Sequence, residues 1–283
     1  MFKILEKERL APEVVKLVVE AKEIAQAHRP GQFIILRINE EGERIPLTVA
    51  DKDIEKGTIT IIFQEVGKTT YHLARLEKGD LLRDLAGPLG KPTHIERFGT
   101  TLSIGGGIGV PLLYPITKGF KENGNRIISI IGARTKELLV MEEEMKAISD
   151  ILRVCTDDGS YGIHGFVTQE LKRMIDEGET INLVLGVGPV PMMKALCDLT
   201  RPYGIKTYIS LNPIMVDGTG MCGACRCEIG GETKYGCVDG PEFDGHKVNF
   251  DLLMKRLAMY KNQEMVSLEK YKKNIEKSSS WRG

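Results

Sequence analysis

The chain has 283 residues, of which 42% are hydrophobic, and 39 Lys and Arg balance 39 Asp and Glu. This length corresponds to about two domains with ordinary hydrophobic cores, which excludes a disordered or fibrous protein. Because the formal net charge is zero, bulk electrostatic attraction to nucleic acid or to an anionic membrane is also excluded.

The N-terminus is the first segment that bears on location. Lys and Glu residues within the first nine positions leave no room for the apolar core of a secretory signal peptide. No apolar run approaches the length of a membrane-spanning helix. We therefore expect a cytoplasmic protein without a membrane partner, in which thiols stay reduced.

Residues 1–98 carry β-branched segments bounded by Gly, Pro or charged clusters, the pattern of an antiparallel sheet or barrel. The predicted strands are Val14–Glu20, Gln32–Arg37, Pro46–Ala50 and Thr58–Gln64. One helix is predicted between them and the domain boundary, over Thr69–Glu77.

Residues 99–211 alternate strand-like and amphipathic runs, which predicts a parallel sheet with helices on both faces. The predicted strands are Thr101–Gly105, Arg126–Gly132, Ile151–Thr156, Ile181–Gly186 and Lys206–Leu211, and the predicted helices are 109–120, 136–148, 165–177 and 189–201. A Gly- and Cys-rich segment follows over 212–250. The basic tail, 251–283, is interpreted as a solvated helix, with packing against a partner subunit as the alternative.

Glycine-rich turns follow three of these strands. The first is Gly105–Gly109, which lacks the third glycine of the GxGxxG fingerprint because Val110 stands there. Thr156–Ser160 and Gly186–Pro189 follow the third and fourth strands. A structural tight turn is the alternative for any one of them. Because the carboxyl ends of parallel strands meet at one edge, the three together predict one crevice for a dinucleotide.

The cysteine cluster predicts an iron–sulfur site. Cys222, Cys225 and Cys237 follow the spacing of the plant-type [2Fe–2S] loop, C-x4-C-x2-C…C, with Asp217 in place of the first cysteine. Cys227 is the other candidate for the fourth ligand. Asp217 is preferred as that ligand, and Cys227, two residues past Cys225, is interpreted as a packed thiol.

A structural zinc site is the alternative for this cluster. Four cysteines would supply the ligands, but zinc sites usually present two close pairs. The chain would then contain a zinc-stabilised interaction module on a degenerate reductase.

The order of these elements resembles the ferredoxin–NADP reductase superfamily, over nearly the whole chain. The resemblance rests on Gly105–Pro111 after the first strand of the second domain, Gly186–Met193 near its last strand, and Gly87–Gly90 at the end of the barrel. It implies an antiparallel FAD-binding β-barrel, then a parallel-sheet α/β domain that binds NAD(P), and a C-terminal [2Fe–2S] loop. Where the family has the flavin motif R-x-Y-[ST], this chain has Arg44–Thr48, and Ile45 stands at the position of the motif's arginine.

The resemblance assigns cofactor binding to residues on both domains, and no side chain is catalytic because the flavin itself takes the hydride. The flavin set is Arg44, Pro46, Leu47, Thr48, Val49, Gly67, Thr69, Thr70 and Gly87. The nucleotide set is Gly106, Gly107, Gly109, Arg134, Asp157, Asp158, Gly186, Gly188, Pro189 and Met192. The metal set is Asp217, Cys222, Cys225 and Cys237.

Within the superfamily, the cysteine loop is similar to that of dihydroorotate dehydrogenase electron-transfer subunits. The Asp217 variant resembles more closely the small subunit of NADH-dependent reduced ferredoxin:NADP oxidoreductase. That resemblance implies a larger flavin and [4Fe–4S] partner subunit, ferredoxin as an indirect partner, and electron bifurcation. A dihydroorotate dehydrogenase partner is the alternative. NAD(H) is the expected nucleotide, although Arg134 and Lys136 could also meet the 2′-phosphate of NADP(H).

Overall fold

The computed structural model describes residues 1–280, with side chains through Glu276. Trp281 and Arg282 of the basic tail lie outside the described residues. Within the described part of the chain, no helix is both long enough and apolar enough to cross a membrane.

The first domain is a nearly closed antiparallel barrel of seven strands. Its strands are β1 (Phe2–Ala11), β2 (Val14–Glu20), β3 (Phe33–Arg37), β4 (Ile45–Asp53), β5 (Thr58–Gln64), β6 (Leu81–Leu82) and β7 (Asp84–Leu89). They are arranged in the order β6-β1-β2-β5-β4-β3-β7. Two short helices, α1 (Lys22–Ala27) and α2 (Lys68–Leu73), lie between strands. Alternate residues of β2 point into a core of Ile, Leu and Val side chains, as a barrel requires.

Two parts of the barrel differ from the sequence prediction. Strand β1 was not predicted because Lys and Glu interrupt its apolar residues; most of these charged side chains are exposed, and Lys7 is partly buried. The predicted helix over Thr69–Glu77 is shorter, ending at Leu73, and α1 adds a second helix to the domain.

The second domain is a parallel sheet between two helical layers. Its elements are β8 (Thr100–Gly106), α3 (Val110–Glu122), β9 (Arg126–Ala133), α4 (Glu142–Ile148), β10 (Ile151–Thr156), β11 (Ile163–His164), α5 (Val167–Asp176), β12 (Leu183–Val187), α6 (Val190–Thr200) and β13 (Lys206–Ser210). The helices α3 and α4 cover one face, and α5 and α6 cover the other. Strand β8 lies between β9 and β12 and is buried along nearly all its length.

One predicted helix of this domain is broken. Residues 136–148 were expected to form a single helix, but Lys136–Leu138 make one 3-10 turn and α4 starts only at Glu142. Between them Val140 is buried and Met141 adopts a φ of 59°, which interrupts the helical path.

The C-terminal segment returns to the sheet. A hairpin of β14 (Arg226–Ile229) and β15 (Glu232–Tyr235) is followed by β16 (Glu242–Asp244), which pairs antiparallel with β13 and completes the seven-stranded sheet. The predicted parallel sheet of the second domain thus gains one antiparallel strand at this edge, from the C-terminal segment. Two helices then follow, α7 (Phe250–Leu257) and α8 (Lys261–Ser280).

The tail is not only a solvated helix. Phe250 and Leu253 of α7 are buried beneath α6. In α8, the Tyr271 ring lies 5.4 Å from the ring of His72 and 6.3 Å from that of Tyr71, so this helix packs against α2 of the barrel.

Candidate functional site: a cavity between the domains and the adjoining cysteine loop

A cavity of about 970 Å³ lies between the barrel and the second domain, within the size range of cofactor sites. The barrel contributes residues from β3, β4, β5 and the start of α2, including Phe33, Pro46–Thr48, Gln64 and Thr70. The second domain contributes the carboxyl ends of its parallel strands. The predicted single crevice is therefore present, and it opens onto the barrel as well.

The glycines at the strand ends allow the loops to interlock. A Cβ atom on Gly109, at the N-terminus of α3, would overlap the backbone of Val187 at the end of β12 and lie 3.0 Å from Gly188 Cα. A Cβ on Gly106 would lie 2.6 Å from Met192 Sδ. At Gly109 only glycine fits, because the atoms it would meet are backbone, and this close approach leaves backbone N–H groups near the cavity.

Hydrogen bonds join the loops after β9 and β10. Asp157 N donates to Ala133 O at 3.0 Å, and Asp158 N donates to Arg134 O at 3.2 Å. Arg134 and Asp157 consequently lie side by side on the cavity wall. The pair offers a cation and a carboxylate to the polar part of a dinucleotide.

On the barrel side, Thr70 fixes the turn that leads into α2. Its Oγ1 accepts hydrogen bonds from Val66 N at 3.1 Å and Gly67 N at 3.0 Å. Thr70 itself lines the cavity. This brings the start of α2 beside Pro46–Thr48 of β4.

A charged cluster supports the same turn from behind. Glu43 accepts a hydrogen bond from Thr69 Oγ1 at 2.5 Å and pairs with Lys68 Nζ at 2.9 Å. Burial alone would raise the pKa of Glu43, but these partners outweigh it and the pKa is lowered. Thr69 therefore anchors the loop and does not face the cavity.

The predicted cofactor residues divide into two groups. Those that line the cavity are Pro46, Leu47, Thr48, Thr70, Gly106, Gly107, Gly109, Arg134, Asp157, Gly188, Pro189 and Met192. Those outside its lining are Arg44, Val49, Gly67, Thr69, Gly87, Asp158 and Gly186.

Packing explains most of the second group. The Val49 side chain is fully buried in the barrel core, so only its backbone could reach a ligand. Gly186 and Gly87 pack against neighbouring side chains, those of Leu196 and Ile34. The Asp158 carboxylate accepts hydrogen bonds from Ser160 instead.

The cysteine loop is only partly assembled as a metal site. The sulfurs of Cys225 and Cys237 lie 3.2 Å apart and are buried, whereas Cys222 is exposed. Burial and the Cys225 thiol raise the pKa of Cys237 to about 12, against backbone hydrogen bonds from Gly220 and from Cys237 itself. Among the residues described, no group of three or more His, Cys, Asp or Glu is arranged to hold a metal.

The loop that carries Asp217 nevertheless wraps this thiol pair. Asp217 Oδ2 accepts hydrogen bonds from Thr219 N, Thr219 Oγ1 and Met221 N at 2.7–3.2 Å. These bonds, and to a smaller extent the Arg44 charge, lower the pKa of Asp217. Its carboxylate is thus ionised at neutral pH. Three thiols and an ionised carboxylate on one segment fit the donor chemistry of an iron–sulfur cluster, although only the Cys225 and Cys237 sulfurs are already together.

Cys227 lies on a different side of the segment. It packs with Val190, Cys197 and Leu253, whereas Cys225 and Cys237 pack with Phe33 and Met215. Burial raises its pKa to about 11. This position favours Cys227 as a packed thiol over a fourth ligand.

The sequence pattern did not identify the residues between the cavity and the cysteines. Phe33 and Met215 line the cavity and also pack against Cys225 and Cys237. Ser210–Pro213 line it as well, immediately after β13. The strand-end rule that identified the other loops would have found this last stretch, but nothing local marked Phe33 or Met215.

Comparison with known proteins agrees with this architecture. Residues 212–249 match the model of the iron–sulfur cluster binding domain of dihydroorotate dehydrogenase B. The chain is 46% identical, over 97% of both chains, to a Thermotoga maritima protein described as a dihydroorotate dehydrogenase B electron transfer subunit homolog. It is 34% identical to the electron transfer subunit of that enzyme from Geobacillus thermodenitrificans, over 87% of this chain and 96% of that one.

Solved structures are similar too. A chain of the NADH-dependent reduced ferredoxin-NADP oxidoreductase, described for flavin-based electron bifurcation, superposes with a TM-score of 0.91 at 46% identity, covering 96% of this chain and 98% of that chain. A cytochrome P450 reductase from Amycolatopsis, at 19% identity, superposes with a TM-score of 0.61 over 72% of this chain and 66% of that one, which shows the fold alone. Both agree with the predicted barrel and nucleotide-binding architecture.

Proposed function

The chain belongs to the family of dihydroorotate dehydrogenase B electron-transfer subunits and their homologues, and we propose that it carries electrons between NAD(H), an FAD in the cavity and a [2Fe–2S] cluster. The observation that carries this proposal is that the cavity and the cysteine pair share a wall. Phe33 and Met215 line the cavity and also pack against Cys225 and Cys237. The two proposed redox sites are therefore joined by packed side chains.

The cavity residues bind and orient the two nucleotides. On one side, Gly106, Gly109 and Gly188 let a pyrophosphate approach the backbone, and Arg134 meets the ribose or adenine. On the other side, Pro46–Thr48 and Thr70 hold the flavin. A bound flavin supplies the exchange of a hydride with nicotinamide and of single electrons with a cluster.

The proposed cluster ligands are Asp217, Cys222, Cys225 and Cys237. Cys225 and Cys237 are prearranged as a pair, and the loop of Asp217 and Cys222 lies against them. Burial raises the pKa of Cys237, and this thiol would give up its proton on binding iron, since thiolates are the iron ligands. A carboxylate ligand is harder than a thiolate of the same charge, and ligand identity tunes the potential of the cluster.

The decisive test is analysis of the purified full chain for flavin, iron and acid-labile sulfide, followed by anaerobic addition of NADH. We expect one FAD, two iron atoms and two sulfides per chain, and bleaching of the flavin by NADH. One zinc with no flavin absorbance would contradict the proposal and support the zinc-stabilised module instead.

We further propose that a larger flavin and [4Fe–4S] subunit is the partner, with ferredoxin reached through it. The 46% identity to a subunit of the bifurcating oxidoreductase supports this assignment. The match to the dihydroorotate dehydrogenase B domain supports the other candidate, a dihydroorotate dehydrogenase catalytic subunit. Affinity purification from the native source, with identification of the co-purifying subunit, distinguishes the two.

We expect NADH to reduce the flavin faster than NADPH does, and Arg134→Ala to weaken nucleotide binding. The lost contact to a charged or polar ligand group corresponds to about 1–2 kcal/mol, or roughly a tenfold rise in Kd. Kd is measured from charge-transfer or fluorescence titrations of the flavoprotein. Lys146→Ala removes the same charge from an exposed site on α4 and should change nothing. A clear preference for NADPH would overturn the NAD assignment.

Asp217→Cys should keep the cluster and shift its potential, because a thiolate donates more electron density to iron than a carboxylate does. Redox titration followed by electron paramagnetic resonance measures both. If Asp217 is not a ligand, the substitution leaves the potential and the spectrum unchanged. Thr219→Val, which removes only one hydrogen bond to Asp217, is the matched control for the loop.

A further inference from the structure

Glu242 is a carboxyl group at the junction of the barrel, the interdomain linker and the second sheet. Its Oε1 accepts a hydrogen bond from Thr93 Oγ1 at 2.6 Å. A Cβ atom on Gly31 would lie 3.1 Å from the same oxygen, so the carboxyl lies directly behind Gly31. It lies between Pro241 and Phe243, five residues after Cys237.

This carboxyl adjoins the wall of the cofactor cavity. Gly31 lines that cavity, and so do Ser210, which pairs with Glu242 across the sheet, and Pro241, which precedes it. Burial raises the pKa of Glu242 to about 7, and only the Thr93 hydrogen bond opposes that rise. The group is thus close to half-ionised at neutral pH.

Most of the other charged and titratable groups of the surrounding elements have partners elsewhere, and Arg29 is exposed. On the linker, Lys91 lies 4.0 Å from Asp239 and His94 pairs with Glu96. The remaining groups come from the barrel, from β13 and from the end of β16. They are His28, which bonds Gln32 O, Arg29 next to it, Tyr208 beneath Lys206, and Asp244 beside Lys247. Burial and Thr93 are the effects that set the ionisation of Glu242.

We propose that Glu242 is the proton-binding group of the flavin cavity, taking up one proton when the bound flavin is reduced and releasing it when the electrons leave. This inference rests on the proposed function. NADH and oxidised flavin give NAD⁺ and a flavin that carries the hydride and one negative charge, while Glu242 takes a proton from solvent. Two successive one-electron transfers, each passed on by the cluster to the proposed partner subunit, would then return the flavin to its oxidised form. One proton leaves the flavin and one leaves Glu242.

Electrostatics gives the direction of this coupling. The ionised form of a carboxyl group becomes less favourable when a neighbouring group gains negative charge. Reduction of the flavin therefore shifts Glu242 towards its protonated form. The effect is stronger in the partly buried surroundings of Glu242 than in bulk water, because a lower dielectric weakens screening. The proton taken up compensates the charge that the hydride brings into the cavity.

The test is the pH dependence of the flavin midpoint potential in flavin-loaded wild type and Glu242→Gln. With one more proton bound per two electrons, the wild-type potential should fall up to about twofold more steeply with pH between about pH 7 and 8.5. Below about pH 6 Glu242 is protonated in both redox states, so the slopes should coincide there. Glu232→Gln, on the exposed hairpin, should behave as wild type.

Redox difference infrared spectroscopy gives a direct readout of the same event. A protonated-carboxyl band should appear on reduction of the wild type and be absent in Glu242→Gln. Loaded Glu242→Gln with the wild-type slope and band would overturn the inference and leave the proposed function standing. A wild-type chain that binds neither flavin nor iron would instead contradict the proposed function.

The second measurement is the pH dependence of thermal stability in the unliganded full chain, compared among wild type, Glu242→Gln and Thr93→Val. As pH rises between about 4.5 and 7, the unfolded state loses the Glu242 proton while the folded state keeps it, so wild-type stability should fall over this window. Glu242→Gln should lack this fall, and Thr93→Val should extend it to higher pH because a hydrogen bond to the ionised form is lost. Thermal unfolding curves that are the same in all three proteins would overturn the inference.

Discussion

Cys237→Ala is expected to abolish the iron–sulfur cluster while leaving the flavin in place. Cys237 supplies half of the buried sulfur pair, with Cys225 Sγ only 3.2 Å away. Alanine offers no donor atom, and the neighbouring thiols cannot move into its place because Cys227 packs on another side of the segment. Iron and acid-labile sulfide should fall to background, and NADH should still bleach the flavin.

Cys227→Ala is the matched control, since it removes another buried thiol of the same segment. Its cost is the loss of packing around one sulfur, about 1 kcal/mol of unfolding free energy, with the iron content unchanged. Iron retained in full by Cys237→Ala would refute the ligand set. Iron lost from Cys227→Ala, in a protein that unfolds normally, would reassign the fourth ligand from Asp217 to Cys227.

The parts of the fold that could be predicted are those whose signal is local. Strands β2, β5 and β10 have the predicted bounds because each is rich in β-branched residues and is bounded by Gly, Pro or charged residues. The glycine-rich strand ends meet in one cavity because the topology of parallel strands requires it. The flavin-binding barrel and nucleotide-binding fold expected from the family resemblance are confirmed by the comparisons.

The parts that could not be predicted depend on residues distant in sequence. Gly31, Thr93 and Glu242 come from three separate segments and meet only because β16 returns to the edge of the second sheet. Gly218, at a φ of 84°, sits so close to β3 that a Cβ would lie 2.7 Å from Ile35 Cγ1. No periodicity or motif in the sequence around these residues encodes such contacts.

These distant contacts explain how one short loop can serve two sites. The cysteine loop packs on the barrel through Gly218, and Met215, only three residues earlier, lines the cavity. A change in the loop would therefore reach the flavin side without passing through the nucleotide domain. The proposed nucleotide-binding wall is fixed separately, by the close contact of Gly109, after β8, with Val187 and Gly188 at the end of β12.

Gly109→Ala is consequently expected to remove pyridine-nucleotide binding without loss of flavin or iron. Its Cβ would meet backbone atoms, with Val187 C at 2.7 Å and Gly188 Cα at 3.0 Å, and backbone cannot turn aside as a side chain can. The loops after β8 and β12 must move apart, which displaces the N–H groups at the start of α3. We expect at least a tenfold rise in Kd for NADH, about 1.4 kcal/mol or more, and a lower melting temperature.

Gly204→Asn provides the control, because Gly204 has a φ of 62° and no atom near its Cβ position. Asparagine tolerates that conformation, so both nucleotide binding and stability should stay close to wild type. The comparison isolates the close backbone approach at Gly109 from a general intolerance of glycine replacement in this domain. Unchanged NADH affinity in Gly109→Ala would mean that the pyrophosphate does not bind between these loops, and the nucleotide site would have to lie elsewhere along the cavity.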